Sequence, residues 1–126
     1  MKALNIVESA YRATLEEQDD TIVWLTAALK GAGAELSVLL RGNAVNYAVK
    51  GQDASGLSFG SWDQTRPPRI GSDIASLMDE GINVYVLTDD LVERGIADDE
   101  VIPGARKVGH ERLPELFAAH DQVWHW

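Results

Sequence analysis

Six polar residues that could bind or act on a small molecule come directly after apolar segments of this chain: Glu8, Ser9, Arg41, Asn43, Thr88 and Asp89. If those segments are parallel strands, their carboxyl ends meet at one edge of a sheet and the six side chains share a rim there. Arg41 could bind an anionic ligand at this rim together with helix N-terminal amides. The alternative, which we favour from the sequence, is that Arg41 forms an ion pair with Glu8 or Asp89 and holds the loops in place.

The sequence offers little support for other kinds of catalytic or metal-binding site. Cysteine is absent, which excludes disulfides, thiolate metal sites and cysteine nucleophiles. The three histidines have no metal-ligand spacing, so no metal site is predicted. Ser9 has no nucleophile-elbow sequence around it, and Glu8 or Asp89 acting as a base would have no visible partner nucleophile. We therefore expect no catalytic residue and no cofactor.

The elements that must position the rim follow from hydrophobic patterning. Residues 84–87 are apolar without alternation, as in a strand covered on both faces, and Thr88 and Asp89 are suited to cap the helix that follows. Four further strands are predicted at residues 3–7, 34–40, 105–108 and 122–126. The residues between the first two strands contain Thr14 and Glu17 at capping-box spacing, so a helix is predicted to begin there and to end at a left-handed Gly31.

Shorter helices are predicted over residues 44–50, around residues 74–78, and from Pro114 onward, where the missing N–H of proline is harmless. Strands that alternate with helices favour right-handed crossovers. The prediction is a three-layer α/β fold, in which about five mostly parallel strands are flanked by helices in a single domain over residues 1–126.

Composition restricts the classes of partner. The 20 carboxylates outnumber the 11 lysines and arginines, and the resulting field repels nucleic-acid backbones and anionic membrane surfaces. No apolar run approaches the roughly 20 residues needed to span a bilayer, and the first residues lack a signal-peptide pattern. We expect a cytoplasmic protein that binds neither nucleic acid nor membrane.

Aromatic residues indicate a different kind of surface. Phe59 and Trp62 lie in a long Gly-, Ser-, Asp- and Pro-rich stretch at residues 52–69, and Trp124 and Trp126 lie at the end of the printed sequence. Because tryptophan is enriched where proteins meet, we expect these four residues at a protein interface. In the alternative, the loop folds over the sheet edge and the terminal tryptophans cover the last helix.

The order of these segments resembles a known family. The order is a strand, a helix after an acidic start, a second strand before Asn-Ala-Val, and a variable loop. Two motifs follow, Asp-Glu-Gly-Ile-Asn-Val-Tyr-Val at residues 79–86 and Glu-Arg-Gly-Ile at residues 93–96. This order and these motifs are similar to those of DsrE/DsrF-like proteins. That family includes the TusD and TusC subunits of the sulfur relay, and the similarity extends from Ala3 to about Val123. The resemblance implies a DsrEFH-like (flavodoxin-like) fold, assembly into homotrimers or homohexamers, and contacts with sulfur-carrier proteins.

The resemblance also identifies an unusual position. DsrE- and TusD-type members carry a persulfide cysteine eight residues before the glycine of an Arg-Gly step, and counting back from Gly95 leads to Leu87. Leucine cannot form a thiolate or store sulfane sulfur. The resemblance therefore implies a non-catalytic accessory or assembly subunit of sulfur trafficking. The alternative is an α/β module that binds a small anion or a nucleotide at the rim.

Overall fold

The computed structural model describes residues 1–11, 20–53 and 55–126. Within these residues the chain forms β1 (Lys2–Val7), α1 (Thr21–Gly31), β2 (Glu35–Leu40), β3 (Ser58–Phe59), β4 (Trp62–Asp63), α2 (Ile70–Asp79), β5 (Asn83–Leu87), α3 (Thr88–Glu93), β6 (Arg106–Val108), α4 (Leu113–Ala118) and β7 (Gln122–His125). Short 3-10 helices cover Gly42–Ala48, Asp98–Glu100 and His110–Arg112. None of the described helices is both long enough and apolar enough to cross a membrane.

Five of these strands form one sheet in the order β6-β5-β2-β1-β7, and every neighbouring pair is parallel. Parallel neighbours require crossover connections, which the intervening helices supply. The prediction of a three-layer α/β fold with about five mostly parallel strands is confirmed.

The core has two parts because side chains along each strand alternate between the two faces of the sheet. One face packs against α1, α2 and the 3-10 helix Gly42–Ala48, through residues such as Ile22, Ile74 and Tyr47. The other face packs mainly against α4, whose Leu113 and Leu116 cover the leucines of the central strands. Burial on both sides explains why the central strands β1, β2 and β5 are mostly apolar, with Asn5 and Ser37 as buried polar exceptions.

The first helix differs from its predicted boundaries. The predicted capping box of Thr14 and Glu17 lies outside the described residues. The described helix α1 begins at Thr21, and Asp20 caps it by accepting hydrogen bonds from the backbone N–H groups of Ile22 (2.8 Å) and Val23 (3.2 Å). At the other end, Gly31 is still helical and Gly33, with φ of +93°, takes the left-handed conformation. The prediction for Gly31 is therefore wrong.

The predicted cap of α3 is also wrong. The chain passes from β5 into α3 without an intervening loop, so Leu87 occupies the N-cap position and Thr88 is already helical. A hydrocarbon side chain cannot accept the hydrogen bond that a cap residue normally provides. Thr88 and Asp89 thus belong to the first turn, where the negative charge of Asp89 suits the helix dipole.

The other predicted secondary-structure elements are present with small changes. The predicted helix at residues 44–50 is the 3-10 helix Gly42–Ala48, and the long loop contains the β3–β4 hairpin, which turns at Gly60 with φ of +59°. The last helix has Pro114 in its first turn, as predicted. Strands β6 and β7 form the two edges of the sheet.

Candidate functional site

The carboxyl ends of three central strands meet at one edge of the sheet. Leu40, the last residue of β2, pairs with the last residue of β1 and with Val86 of β5. The residues that follow in each strand are Glu8, Arg41 and Leu87. These three positions therefore lie side by side in the row that closes the sheet, with Arg41 in the middle.

Leu87 is at the strand end that the family resemblance requires, but its side chain belongs to the core. It is 1% exposed and packs in the cluster formed by Leu4, Ile6, Leu39, Leu113 and Leu116. The side chain therefore lies on the face of the sheet that α4 covers. At the position to which the resemblance assigns a persulfide cysteine, this chain has a packed hydrocarbon.

Glu8 is linked to the edge strand β7. Its Oε2 lies 2.5 Å from Nε2 of His125, with both side chains about half exposed. Its backbone N–H donates to the carbonyl of Trp126, and its carbonyl accepts from the N–H of Ala44. Ser9, next along the chain, is exposed, and its hydroxyl has no hydrogen bond within the described residues.

Asn43 takes part in a polar cluster that the sequence analysis missed. Its Oδ1 accepts hydrogen bonds from Nε (3.2 Å) and Nη2 (2.9 Å) of Arg94, and Asp90 Oδ2 accepts one from the N–H of Gly42 (2.6 Å). Nη1 of Arg94 also lies 3.9 Å from Asp90 Oδ1, one helical turn away. The i,i+4 spacing of Asp90 and Arg94 is the sequence signal that could have identified this cluster.

Gly42 is required in this cluster for two reasons. Its φ is +55°, and a Cβ atom there would lie 2.9 Å from Cγ of Glu8. The backbone can thus turn here and lie against Glu8 only because the residue has no side chain. The turn after β2 is held against α3 in this way.

Asp89 is directed toward β6 rather than toward Arg41. Its Oδ1 accepts a hydrogen bond from the N–H of His110 (2.8 Å), which ties the first turn of α3 to the segment after β6. Thr88 is half-buried at the start of α3. The structure therefore brings Glu8 and Arg41 together, links Asn43 to α3, and places Asp89 at the β6 side of the rim.

Arg41 does not form the ion pair that the sequence analysis favoured. Glu8 is engaged by His125 and Asp89 by His110, and no described residue forms a salt bridge with the Arg41 guanidinium. The Nε atom of Arg41 is buried and has no hydrogen-bond partner among the described residues. Within the described part of the chain, the predicted ion pair of Arg41 with Glu8 or Asp89 is wrong.

A buried network fixes the chain where it leaves β1. The hydroxyl of Tyr47 donates to Oδ2 of Asp20 (2.6 Å) and accepts from the N–H of Tyr11 (2.7 Å). Tyr11 has φ of +54°, its ring meets that of Tyr47 edge-on, and burial raises the pKa of its hydroxyl. The same Asp20 carboxylate caps α1, so this network joins three elements through one side chain.

The aromatic residues divide into two groups. Phe59 (67% exposed) and Trp62 (43% exposed) stack on each other across the β3–β4 hairpin, with ring centroids 6.2 Å apart. Trp124 and Trp126 line a shallow surface with Leu25 of α1, so the alternative in which they cover the last helix is wrong. The sequence analysis overlooked Trp24, which is 61% exposed on α1.

Among the residues that the structure describes, no group of His, Asp or Glu side chains is arranged to hold a metal ion. The polar groups gathered at the rim are hydrogen-bond donors, acceptors and charges. Such an arrangement can bind and orient a ligand or a partner without forming a bond to it.

Two solved structures share this architecture. The YchN protein from E. coli is 18% identical over the full length of both chains, with a TM-score of 0.71. MTH1491 from Methanobacterium thermoautotrophicum, a protein of unknown function, is 9% identical over 98% of this chain and 97% of that chain, with a TM-score of 0.66. The fold is DsrE-like. No protein-family model and no curated protein sequence matches the chain.

The DsrE-like fold agrees with the strand order and with the place of Leu87 at the end of β5. At these levels of identity the likeness concerns the backbone. What this chain does must be argued from its own side chains.

Proposed function

We propose that this chain is a non-catalytic DsrE-like protein of sulfur trafficking in the cytoplasm, acting as an accessory binding subunit. The observation that supports the proposal is Leu87, a packed leucine at the strand end where the resembled family carries its persulfide cysteine. A hydrocarbon cannot attack a sulfur atom, and it has no proton whose pKa could be tuned. Participation in sulfur transfer would therefore depend on non-covalent contacts.

The β3–β4 hairpin is the surface that we assign to these contacts. Phe59 and Trp62 stack on each other while remaining exposed, and Leu57 beside them is exposed as well. Aromatic side chains supply large contact areas at a small cost in conformational entropy, which is why they dominate the centres of interfaces. The proposed partners are further copies of this chain and persulfide-bearing DsrE-type carrier proteins.

Complex formation tests the proposal. The purified chain is mixed with a DsrE-type carrier that has been loaded by a sulfane-sulfur donor, and the mixture is analysed by size-exclusion chromatography with light scattering. We expect a stable complex, with the sulfane sulfur remaining on the carrier. The double variant Phe59→Ala/Trp62→Ala should weaken the complex at least tenfold, whereas Val92→Ala, which trims an equally exposed apolar residue on α3, should not.

Two results would contradict the proposal. One is the absence of any complex with loaded carriers while the chain is folded, as judged by circular dichroism. The other is multiple-turnover sulfurtransferase activity of the purified chain alone, since Leu87 provides no atom to carry the sulfur.

A further inference from the structure

The face of the sheet that carries the side chain of Leu87 is covered over only part of its width. Among the described residues, α4 supplies the only α-helical side chains of the core cluster on that face, Leu113, Leu116 and Phe117. A helix with its side chains is about 10 Å wide, whereas five strands about 4.8 Å apart span about 19 Å. Beside α4 the structure has a cleft of about 550 Å³, which runs along the edge strand β6.

Strands β5 and β6 form the floor of this cleft. Tyr85 pairs with Arg106, and Leu87 pairs with Val108, so these side chains lie on the same face of the sheet. The buried side chain of Leu116 adds an apolar wall from α4. Ligand sites in proteins are concave, measure about 300–1,000 Å³, and combine apolar walls with a few polar groups. The size and the lining of the cleft both match this description.

Three polar groups in the cleft make no hydrogen bond or ion pair with any residue that the structure describes. They are the hydroxyl of Tyr85, the guanidinium of Arg106 and the carboxylate of Glu111. The ring of Tyr85 is half-buried, and a tyrosine in such a place normally directs its hydroxyl to a partner. Arg106 and Glu111 do not pair with each other, so a ligand can bridge them.

The other charged side chains of the cleft already have partners. Nε of Arg112 donates to Oε2 of Glu115 (2.9 Å), and Nζ of Lys107 lies 3.4 Å from Oδ1 of Asp98. The charges that the cleft offers to a ligand are therefore one cation and one anion.

Gly109 allows the carboxylate of Glu111 to lie against the end of β6. The φ of Gly109 is −80°, a value that any residue can adopt, so the backbone itself does not require glycine. A Cβ atom at this position would collide with both carboxylate oxygens of Glu111. Any larger residue would therefore move the carboxylate without disturbing the backbone.

We propose that the cleft binds a small zwitterion with an apolar body, of the class of a free amino acid with a large apolar side chain. Its carboxylate accepts hydrogen bonds from Arg106 and from the Tyr85 hydroxyl, since the planar fork of arginine matches two carboxylate oxygens. Its ammonium group pairs with Glu111, and its side chain packs on Val108 and Leu116. A ligand with one charge would bury Arg106 or Glu111 without a partner, which is costly.

Three ligands that share a phenyl ring test the requirement for both charges. L-Phenylalanine carries both, hydrocinnamate carries only the carboxylate, and phenethylamine carries only the ammonium group. Binding to the purified chain is measured at neutral pH by calorimetry and by thermal unfolding, at one ionic strength because salt screens exposed charges. We expect L-phenylalanine to bind at least tenfold more tightly than either of the other two and to raise the unfolding temperature.

Variants of single residues locate the site. Glu111→Gln should abolish the preference for L-phenylalanine over hydrocinnamate, and Arg106→Gln should abolish the preference over phenethylamine. Gly109→Ala should act like Glu111→Gln, because the new Cβ displaces the carboxylate. The controls are Lys50→Gln and Asp79→Asn, which change exposed charges beside the 3-10 helix Gly42–Ala48 and on α2, two elements of the opposite face, and should leave binding unchanged.

The inference is overturned if L-phenylalanine does not bind, or if hydrocinnamate or phenethylamine binds equally tightly. It is also overturned if Arg106→Gln and Glu111→Gln bind L-phenylalanine as the wild type does. Both side chains are exposed, so these variants should unfold at the temperature of the wild type and report on binding alone. The titration uses the isolated chain and none of the hairpin residues, so its outcome does not depend on the carrier complex.

Discussion

Leu87 and Arg41 stand next to each other at the end of the sheet, and their different chemistry defines what this edge can do. Leu87 contributes packing, since it is enclosed by leucines of the sheet and of α4. Arg41 contributes a guanidinium whose buried Nε atom has no hydrogen-bond partner among the described residues.

The burial of Leu87 makes a direct prediction about Leu87→Cys. We expect the substitution to cost about 1–3 kcal/mol of unfolding free energy, as is usual for trimming a buried apolar side chain. The new thiol should react with an aromatic disulfide reagent at least a hundred times more slowly than an exposed thiol introduced by Ser9→Cys. Rapid modification of the folded Leu87→Cys variant would instead mean that α4 moves away and opens this position.

Tyr47 supports a second prediction at the level of single residues. In Tyr47→Phe, the carboxylate of Asp20 loses a donor and the N–H of Tyr11 loses its acceptor. Because both groups belong to a buried or half-buried network, we expect a loss of about 1–3 kcal/mol in chemical denaturation. Tyr85→Phe is the matched control, since no described residue bonds to the Tyr85 hydroxyl, and it should cost less than half as much.

Among the elements, α2 shows how the long loop supports the fold. The helix begins after Arg69, whose side chain does not cap it. Asp53 performs this role from the other end of the loop, because its carboxylate accepts bonds from the N–H groups of Gly71 (2.9 Å) and Ser72 (3.0 Å) and from the Ser72 hydroxyl (2.6 Å). The loop is thus anchored to the helix that follows it.

The charge of Asp53 makes this anchor sensitive to pH. Burial by itself raises the pKa of Asp53, but the hydrogen bonds from Ser72 and Gly71 and the nearby charge of Arg69 outweigh burial and hold the pKa below its usual value. A lowered pKa in the folded state means that the stabilisation is present above the pKa of the unfolded chain, about 3.9, and is lost as pH falls through the folded value.

Asp53→Ala should therefore cost about 0.5–2 kcal/mol at pH 7, as expected for removal of a helix cap. The difference from the wild type should shrink when the unfolding free energy is measured near pH 3, below the pKa of the unfolded chain, because proton binding then favours the unfolded state. Asp99→Asn, which changes an exposed acid that makes no bond to α2, serves as the control. A cost that stays constant between pH 7 and pH 3 would show that the charge of Asp53 is unimportant.

For the molecule as a whole, the exposed hairpin predicts self-association. The proposed homotrimer or homohexamer should be visible by light scattering at micromolar concentration. Phe59→Ala/Trp62→Ala should shift the distribution toward monomer without lowering the unfolding temperature of the isolated chain, because neither ring belongs to the buried core clusters. Val92→Ala should not shift it, and a wild-type chain that stays monomeric at every concentration would contradict the assignment of this surface.

Assembly should also depend on salt. The net charge of −9 makes copies of this chain repel each other at a distance, and added salt screens that repulsion. If apolar contacts of the hairpin drive association, the assembly should persist or strengthen between low and moderate ionic strength. Dissociation by salt would point to ion pairs as the main contacts.

The amino-acid sequence by itself determined the elements of this fold. Runs such as residues 84–87 are apolar at every position because the strand they form is buried on both faces, and the glycine at position 81, with φ of +85°, follows the end of the preceding helix. Alternation of strands and helices was enough to predict a parallel sheet, since parallel neighbours need crossovers. These features can be recognised from residue patterns within short segments of the chain.

Only the tertiary structure decided which polar groups meet at the rim. Glu8 is held by a histidine 117 positions away, and the turn after β2 by an aspartate 48 positions away, so neither partner could be read from local patterns. In a chain with many carboxylates, the sequence favours pairing for every arginine. Among the described residues, the acids Glu8, Asp89 and Asp90 bond to other groups and none pairs with Arg41, because hydrogen-bond partners are set by the three-dimensional positions of residues that are distant in sequence.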